Sequence, residues 1–413
     1  MYLTLRDRPA AQRVGGAGRR VAGTVVLLGL VSMFTDISSE SVNAVLPIYL
    51  TTILGMSALA YGFVDGIYQG VSAIVRILGG WAADRTDHPK WIAFIGYFGS
   101  AVSRIFLLPV HSFAGITGVI TVDRLGKGLR TAPRDALIAA SSPPDALGRA
   151  YGMHRALDTL GALIGPLLAF WILFVVPGDY HSVFLASLAF AIVGVAMLLL
   201  IVPDVRPRRE KPAALPGRVS LRHLCTPKLG RLLMAAGLLG VLTIGDGFLY
   251  LELTERDSLA TKYFPLLYVG TNVAYLVLAI PFGRLADRIG RARVFIGGHV
   301  VLLLAYLCAG GPFGGPVASV GCLLLLGAYY AATDGVLPAM SGRIVETSIR
   351  ASGIATAQTI VAVARFASSL AFGLLWTQIG RVHALVAVSI LLAVGIPIAA
   401  TLLRGIDAEP ATA

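Results

Sequence analysis

Apolar runs of helix length recur twelve times along these 413 residues. Such a chain can satisfy all of them at once only in a lipid solvent. A spanning helix needs about 20 residues, and the runs lie near 21–50, 57–82, 91–110, 113–139, 149–174 and 182–203, then 230–253, 261–285, 292–310, 316–341, 351–376 and 382–404. The chain is 56% hydrophobic and 14% charged, against roughly 25% charged in soluble domains. A soluble multidomain enzyme could not cover that much apolar surface. A membrane barrel is excluded too, because its strands are short alternating segments. The expected fold is an all-α membrane protein of twelve transmembrane helices in two six-helix bundles.

The net charge of +12 would suggest nucleic acid in a soluble protein. In a membrane protein, Lys and Arg crowd cytoplasmic loops, and no nucleic-acid partner is expected. The expected order is a tail over 1–20, a first bundle over 21–203, a basic linker over 204–229, a second bundle over 230–404 and a tail over 405–413. The opening apolar stretch reads as an uncleaved first span. The first tail holds Arg6, Arg8, Arg13, Arg19 and Arg20, and the stretch 203–231 holds eight more basic residues and five prolines. The opposite loops hold only Arg256, Lys262 and Arg381. Both termini and the linker are therefore expected in the cytoplasm, with the protein a multi-pass monomer in the inner membrane. Cys225, Cys308 and Cys322 show no metal-ligand spacing and read as free thiols.

The chain repeats itself. Gly80-x-x-x-Asp84-Arg85 closes the second run, and Gly283-x-x-x-Asp287-Arg288 closes the eighth, 203 residues later. Asp135 is followed by Asp334 at an offset of 199, and Asp36 by Asp246 at 210. A six-plus-six duplication explains the order, and parallel repeats about an axis along the membrane normal enclose a central cavity. These motifs resemble the major facilitator superfamily over nearly the whole chain. Arg124-Leu-Gly-Lys127-Gly128 resembles the family's fourth-span motif, with lysine in place of glutamine. Gly152, Gly161 and Gly165-Pro166 resemble the fifth-span motif of drug/proton antiporters, although Ala169 and Phe170 depart from it. The resemblance implies a proton-transfer role for Arg124. It implies an inner conformational gate at Gly80, Asp84, Arg85, Gly283, Asp287 and Arg288, and a sealing role for Gly152, Gly161, Gly165 and Pro166.

Ionisable residues inside a span are costly unless they face a cavity or a partner. Asp36 and Glu40, one helical turn apart, share a face and form a candidate pair for protons or a cation; the alternative is an ion pair with an arginine of another span. Asp65 and Gln69 repeat that spacing in span two. Asp135 belongs to the crowded span four, with Asp123, Lys127, Arg130 and Arg134. Asp246, Asp334 and Arg365 are the corresponding candidates of the second half, with Tyr275, Tyr329, Tyr330, Asn272 and Gln358 near them. His154 is a candidate relay or a satisfied polar residue. No catalytic motif, phosphate loop or metal-ligand cluster occurs, so neither enzyme activity, ATP drive, a metal nor an organic cofactor is expected. The expected function is secondary transport by alternating access, as proton-coupled efflux of a small organic molecule. Export of a metal ion or other cation, import of an organic anion, and a non-transporting receptor or membrane enzyme stand as alternatives.

Overall fold

The computed structural model describes residues 22–85, 88–143, 146–205, 226–312, 314–345 and 350–407; the side chains of residues 77–85, 350 and 351 lie outside the described residues. Each expected apolar run coincides with a helix. In the first half these are α1 (Gly23–Ile53), α2 (Ala58–Arg85), α3 (Pro89–Leu107), α4 (Phe113–Ala140), α5 (Leu147–Val175) and α6 (Tyr180–Leu200). The second half has α7 (Pro227–Arg256), α8 (Phe264–Ile289), α9 (Arg291–Gly310), α10 (Pro316–Ile344), α11 (Arg350–Ile379) and α12 (Arg381–Leu402). Among the described residues ten helices are long and apolar enough to cross a membrane. The other two, α3 and α4, carry charge that turns inward: Arg104, Asp123 and Arg124 are at most 1% exposed, while Ile95, Phe98 and Phe106 of α3 face outward. The protein is a multi-pass, all-α membrane protein.

The two halves follow one packing diagram. In the first, α1 packs on α5 and α6, and α4 on α2 and α3; in the second, α7 packs on α11 and α12, and α10 on α8 and α9. Matching helices start at almost constant separation, as in Pro89 and Arg291 or Phe113 and Pro316, 202 and 203 residues apart. The halves meet along α2–α11 and α5–α8, two contacts that a twofold axis between them would exchange. This geometry corrects two expected correspondences, for at the same offset Asp334 pairs with Thr131 and not with Asp135. At the common offset Asp246 pairs with Asn43, so Asp36 and Asp246 occupy different depths and different surroundings.

Among the described residues three spans are broken within their length: α1 at 44–45, α7 at 242–245 and α10 at 334–335. A break frees backbone groups that lipid cannot satisfy. At the α7 break, Tyr306 of α9 accepts from the Ile244 N–H at 2.9 Å and donates to the Leu242 carbonyl at 3.3 Å. A Cβ at Gly245 would stand 2.2 Å from the Asp65 carboxylate and would displace it.

The end away from the linker is closed by aromatic packing across the halves. Phe248 of α7 lies 4.7 Å from the Tyr61 ring of α2 and 4.9 Å from Phe372 of α11. Beyond this seal, in the turn after α7, Asp257 ties three helices together. Its carboxylate takes both arms of Arg256 at 2.8 and 3.0 Å, the Gly315 N–H at 2.9 Å and the Ser319 hydroxyl at 2.5 Å. Arg256 reaches on to the Cys308 carbonyl at 2.7 Å. The hydrogen bonds from Arg256, then those from Ser319 and Gly315, hold the Asp257 carboxyl well below the usual carboxylate range. Its stabilisation is thus complete above the unfolded carboxyl's pKa of about 3.9 and is lost as pH falls below it towards the folded value. Asp257→Asn is expected to lower the melting temperature at neutral pH, by an amount equivalent to about 1.5–3 kcal/mol. The difference from the parent should shrink below about pH 4; equal melting of the two proteins at pH 7 would remove Asp257 from this role.

Candidate functional site

The first half encloses a cluster of charges centred on α4. Asp123, which is 0% exposed, forms ion pairs with Arg104 of α3 at 3.0 Å and with its neighbour Arg124. Arg104 also reaches Ser39 of α1, and the Arg124 guanidinium lies 3.8 Å from the centre of the Tyr68 ring. One turn on, Lys127 stands 3.9 Å from Asp36 and 3.8 Å from Glu40, while Arg130 stands 3.9 Å from Asp36 and stacks 4.5 Å over Tyr97. Farther towards the linker end, Arg134 pairs with Asp135 at 3.0 Å and with Asp158 of α5 at 3.9 Å. Asp158 accepts from Ser32 at 2.6 Å. At the common offset the second half answers Asp36 with Leu239 and Asp123 with Leu326, both 0% exposed. At these two positions the buried charge has no counterpart in the second half.

The second feature is a cavity between the halves. Its inner part, about 210 Å³, is lined by Glu40, Asn43, Asp65, Gln69, Asp246, Tyr268, Asn272, Tyr275, Tyr330 and Asp334. Three matched pairs, Asn43–Asp246, Asp65–Tyr268 and Gln69–Asn272, are each 203 residues apart and line it together. The cavity therefore lies on the axis that relates the halves. Asp246 opens the second segment of α7, where a helix N-terminus favours negative charge, and accepts from Tyr330 at 2.8 Å. Asp65 accepts from Ser369 of α11 at 2.5 Å. A larger space of about 440 Å³ shares Gln69, Tyr275 and Asp334 and continues past Arg76, Arg155, Gln358 and Arg365. Arg155 is 76% exposed, so this space opens at the linker end. Arg365 donates to Tyr329 at 3.1 Å and lies over the Tyr330 ring. The arrangement can hold one small solute between the halves, with carboxylates and tyrosines at the closed end and arginines at the mouth.

A sequence model described as the Major Facilitator Superfamily matches residues 28–257. An uncharacterized transporter of that type from Methanocaldococcus jannaschii is 28% identical over 367 residues, covering 87% of this chain and 89% of the relative. The multidrug resistance protein MdtH of Edwardsiella ictaluri is 28% identical over 199 residues, covering 48% of this chain and 46% of that protein. Among solved structures, a mutant of the nucleoside transporter NupG superposes with a TM-score of 0.80 at 14% identity, over 92% of this chain and 100% of its own. That likeness is one of fold.

The sequence candidates divide between these places. Glu40, Asp65, Gln69, Asp246, Asp334 and Arg365 line the axial space. Asp36, Arg124 and Asp135 line neither part of it and belong to the charge cluster. Gly161 and Gly165 are where α5 presses on α1: a Cβ would come within 2.5 Å of the Met33 carbonyl and 2.8 Å of the Ser41 nitrogen. Pro166 is buried beside them, whereas Gly152 and Gly283 face open space. Gly80, Asp84 and Arg85 lie among the side chains outside the described residues, and Asp287 pairs with Arg291 at 3.0 Å. His154 is 4% exposed and neither ring nitrogen has a hydrogen-bond partner among the described residues. Sequence reasoning missed Tyr268 and Ser369; the 203-residue offset applied to Asp65 would have found the first. Removing one partner of a buried ion pair costs about 3–5 kcal/mol. Asp123→Asn, which strips the carboxylate from two buried guanidiniums, is expected to abolish accumulation of folded protein or lower its melting temperature by many degrees. Parent-like yield and melting would show that the cluster does not depend on Asp123.

Proposed function

The chain belongs to the Major Facilitator Superfamily, a family of transporters and not of enzymes, and on that premise we propose that it exports a small organic cation in exchange for protons. The observation that carries this reading is the axial cavity. Four carboxylates, Glu40, Asp65, Asp246 and Asp334, converge there with Tyr268, Tyr275 and Tyr330. Aromatic rings beside carboxylates suit an organic cation, and the two connected spaces have the size of a small-molecule site. Because both halves line the cavity, rocking one against the other would move a bound solute between the two ends. The partial similarity to multidrug resistance proteins supports the direction.

The coupling proton is assigned to Asp36. Its carboxyl is buried and faces Lys127 and Arg130 at 3.9 Å, so its charge depends on those two partners staying in place. Glu40 shares Lys127 with Asp36 and also lines the cavity, which gives protonation in the first half a route to the solute. Binding and coupling should then separate by mutation. In proteoliposomes under a pH gradient, Asp246→Asn is expected to cut transport of a fluorescent organic cation by roughly tenfold or more, the scale of a lost charged contact. Asp36→Asn is expected to retain solute exchange and lose dependence on the gradient. Full gradient-driven transport by either variant would contradict the role given to that residue.

A cytoplasmic location for the linker end rests on the basic residues counted along the chain, and the membrane would be the inner membrane. Single cysteines at the exposed positions 260 and 312 should react with an impermeant thiol reagent added outside intact cells, and cysteines within 206–225 should react only after permeabilisation. The reverse pattern would invert the transporter.

A further inference from the structure

The largest cavity among those described lies off the transport axis. It holds about 1040 Å³ at the linker end of the second half, between the α8–α9 turn and the last turns of α10 and α12. It shares no lining residue with the axial space. Five arginines line it: Arg288, Arg291, Arg293, Arg343 and Arg404. Only two acids accompany them, and both are already engaged. Asp287 pairs with Arg291, and Asp407 accepts from the Ala292 N–H at 3.0 Å at the start of α9. Arg288, Arg343 and Arg404 form no ion pair among the described residues.

The walls away from water are apolar. Ile296 and Gly297 of α9 and Ala400 and Leu403 of α12 line the cavity. Val300 and Leu304 continue the α9 face for two further turns, and Pro397 and Val394 continue that of α12; all four are exposed. In a bilayer these faces meet acyl chains, while the arginines sit at the depth of the headgroups. Guanidinium forks match phosphate oxygens, and a basic pocket between spanning helices at the cytoplasmic surface is a site for anionic lipid.

We propose that this cavity binds the phosphate headgroup of an anionic phospholipid of the linker-side leaflet, with its acyl chains along α9 and α12. The chemistry it reads is a phosphate, and free phosphate is the competing source. The continuous apolar faces above the arginines favour the lipid, since a soluble ion would not use them.

Native mass spectrometry of the full chain, released from micelles containing phosphatidylglycerol or phosphatidylcholine of the same acyl length, tests the assignment. The parent protein should retain phosphatidylglycerol preferentially. Arg343→Gln combined with Arg404→Gln should reduce that retention roughly tenfold and leave phosphatidylcholine unchanged. In a parallel thermal-shift series, phosphatidylglycerol should raise the melting temperature of the parent and inorganic phosphate should not. Equal retention of the two lipids by the parent would overturn the proposal without recourse to any variant. Undiminished phosphatidylglycerol retention by the folded double variant would overturn it as well. Stabilisation by inorganic phosphate as large as that by lipid would assign the site to a soluble anion instead.

Discussion

A charge inside a bilayer has no water to solvate it, so it must be met by an opposite charge, by hydrogen bonds or by a wetted cavity. Most of this structure can be read from how that demand is met in two different ways. Around Asp123 the demand is met by pairing: Arg104 and Arg124 take its oxygens, and Tyr68 covers the Arg124 guanidinium. Around Asp246 and Asp334 it is met by a cavity that reaches the linker end. The first solution fixes α3 and α4 in place. The second leaves charge available to a solute.

These solutions are distributed unequally over a duplicated fold. Both halves share a packing diagram, but the positions that hold Asp36 and Asp123 in one half hold Leu239 and Leu326 in the other. The second half carries aliphatic side chains at those positions, and Tyr306 fills the break in its α7. The lining of the axial cavity draws matched positions from both halves, because a residue near the axis meets its own counterpart across it.

The closed end and the open end follow from side-chain size. Phe248, Tyr61, Phe372 and Trp376 fill the space between α2, α7 and α11, whereas at the other end Arg76 and Arg155 extend into solvent at the mouth. The Asp257 clasp lies beyond the seal and binds α7 to the α9–α10 corner within the second half.

The sequence by itself determined the solvent, the number of helices and their duplication. Run length, charge depletion and the 203-residue spacing of Gly80-x-x-x-Asp84 and Gly283-x-x-x-Asp287 are local properties, and lipid imposes one backbone solution on each such run. It also marked Glu40, Asp65, Gln69, Asp246, Asp334 and Arg365 as residues that need a partner or a cavity. Only the tertiary structure decided which of the two each received. Asp36 and Glu40 lie one turn apart on the same helix, yet Asp36 turns into the bundle towards Arg130 while Glu40 reaches the axis. Helical spacing gives a direction around one helix but does not say which neighbour stands there. That depends on how α1 rotates against α4 and α5, and the rotation is set by close contacts such as that of Gly161 with Met33, between residues more than a hundred positions apart.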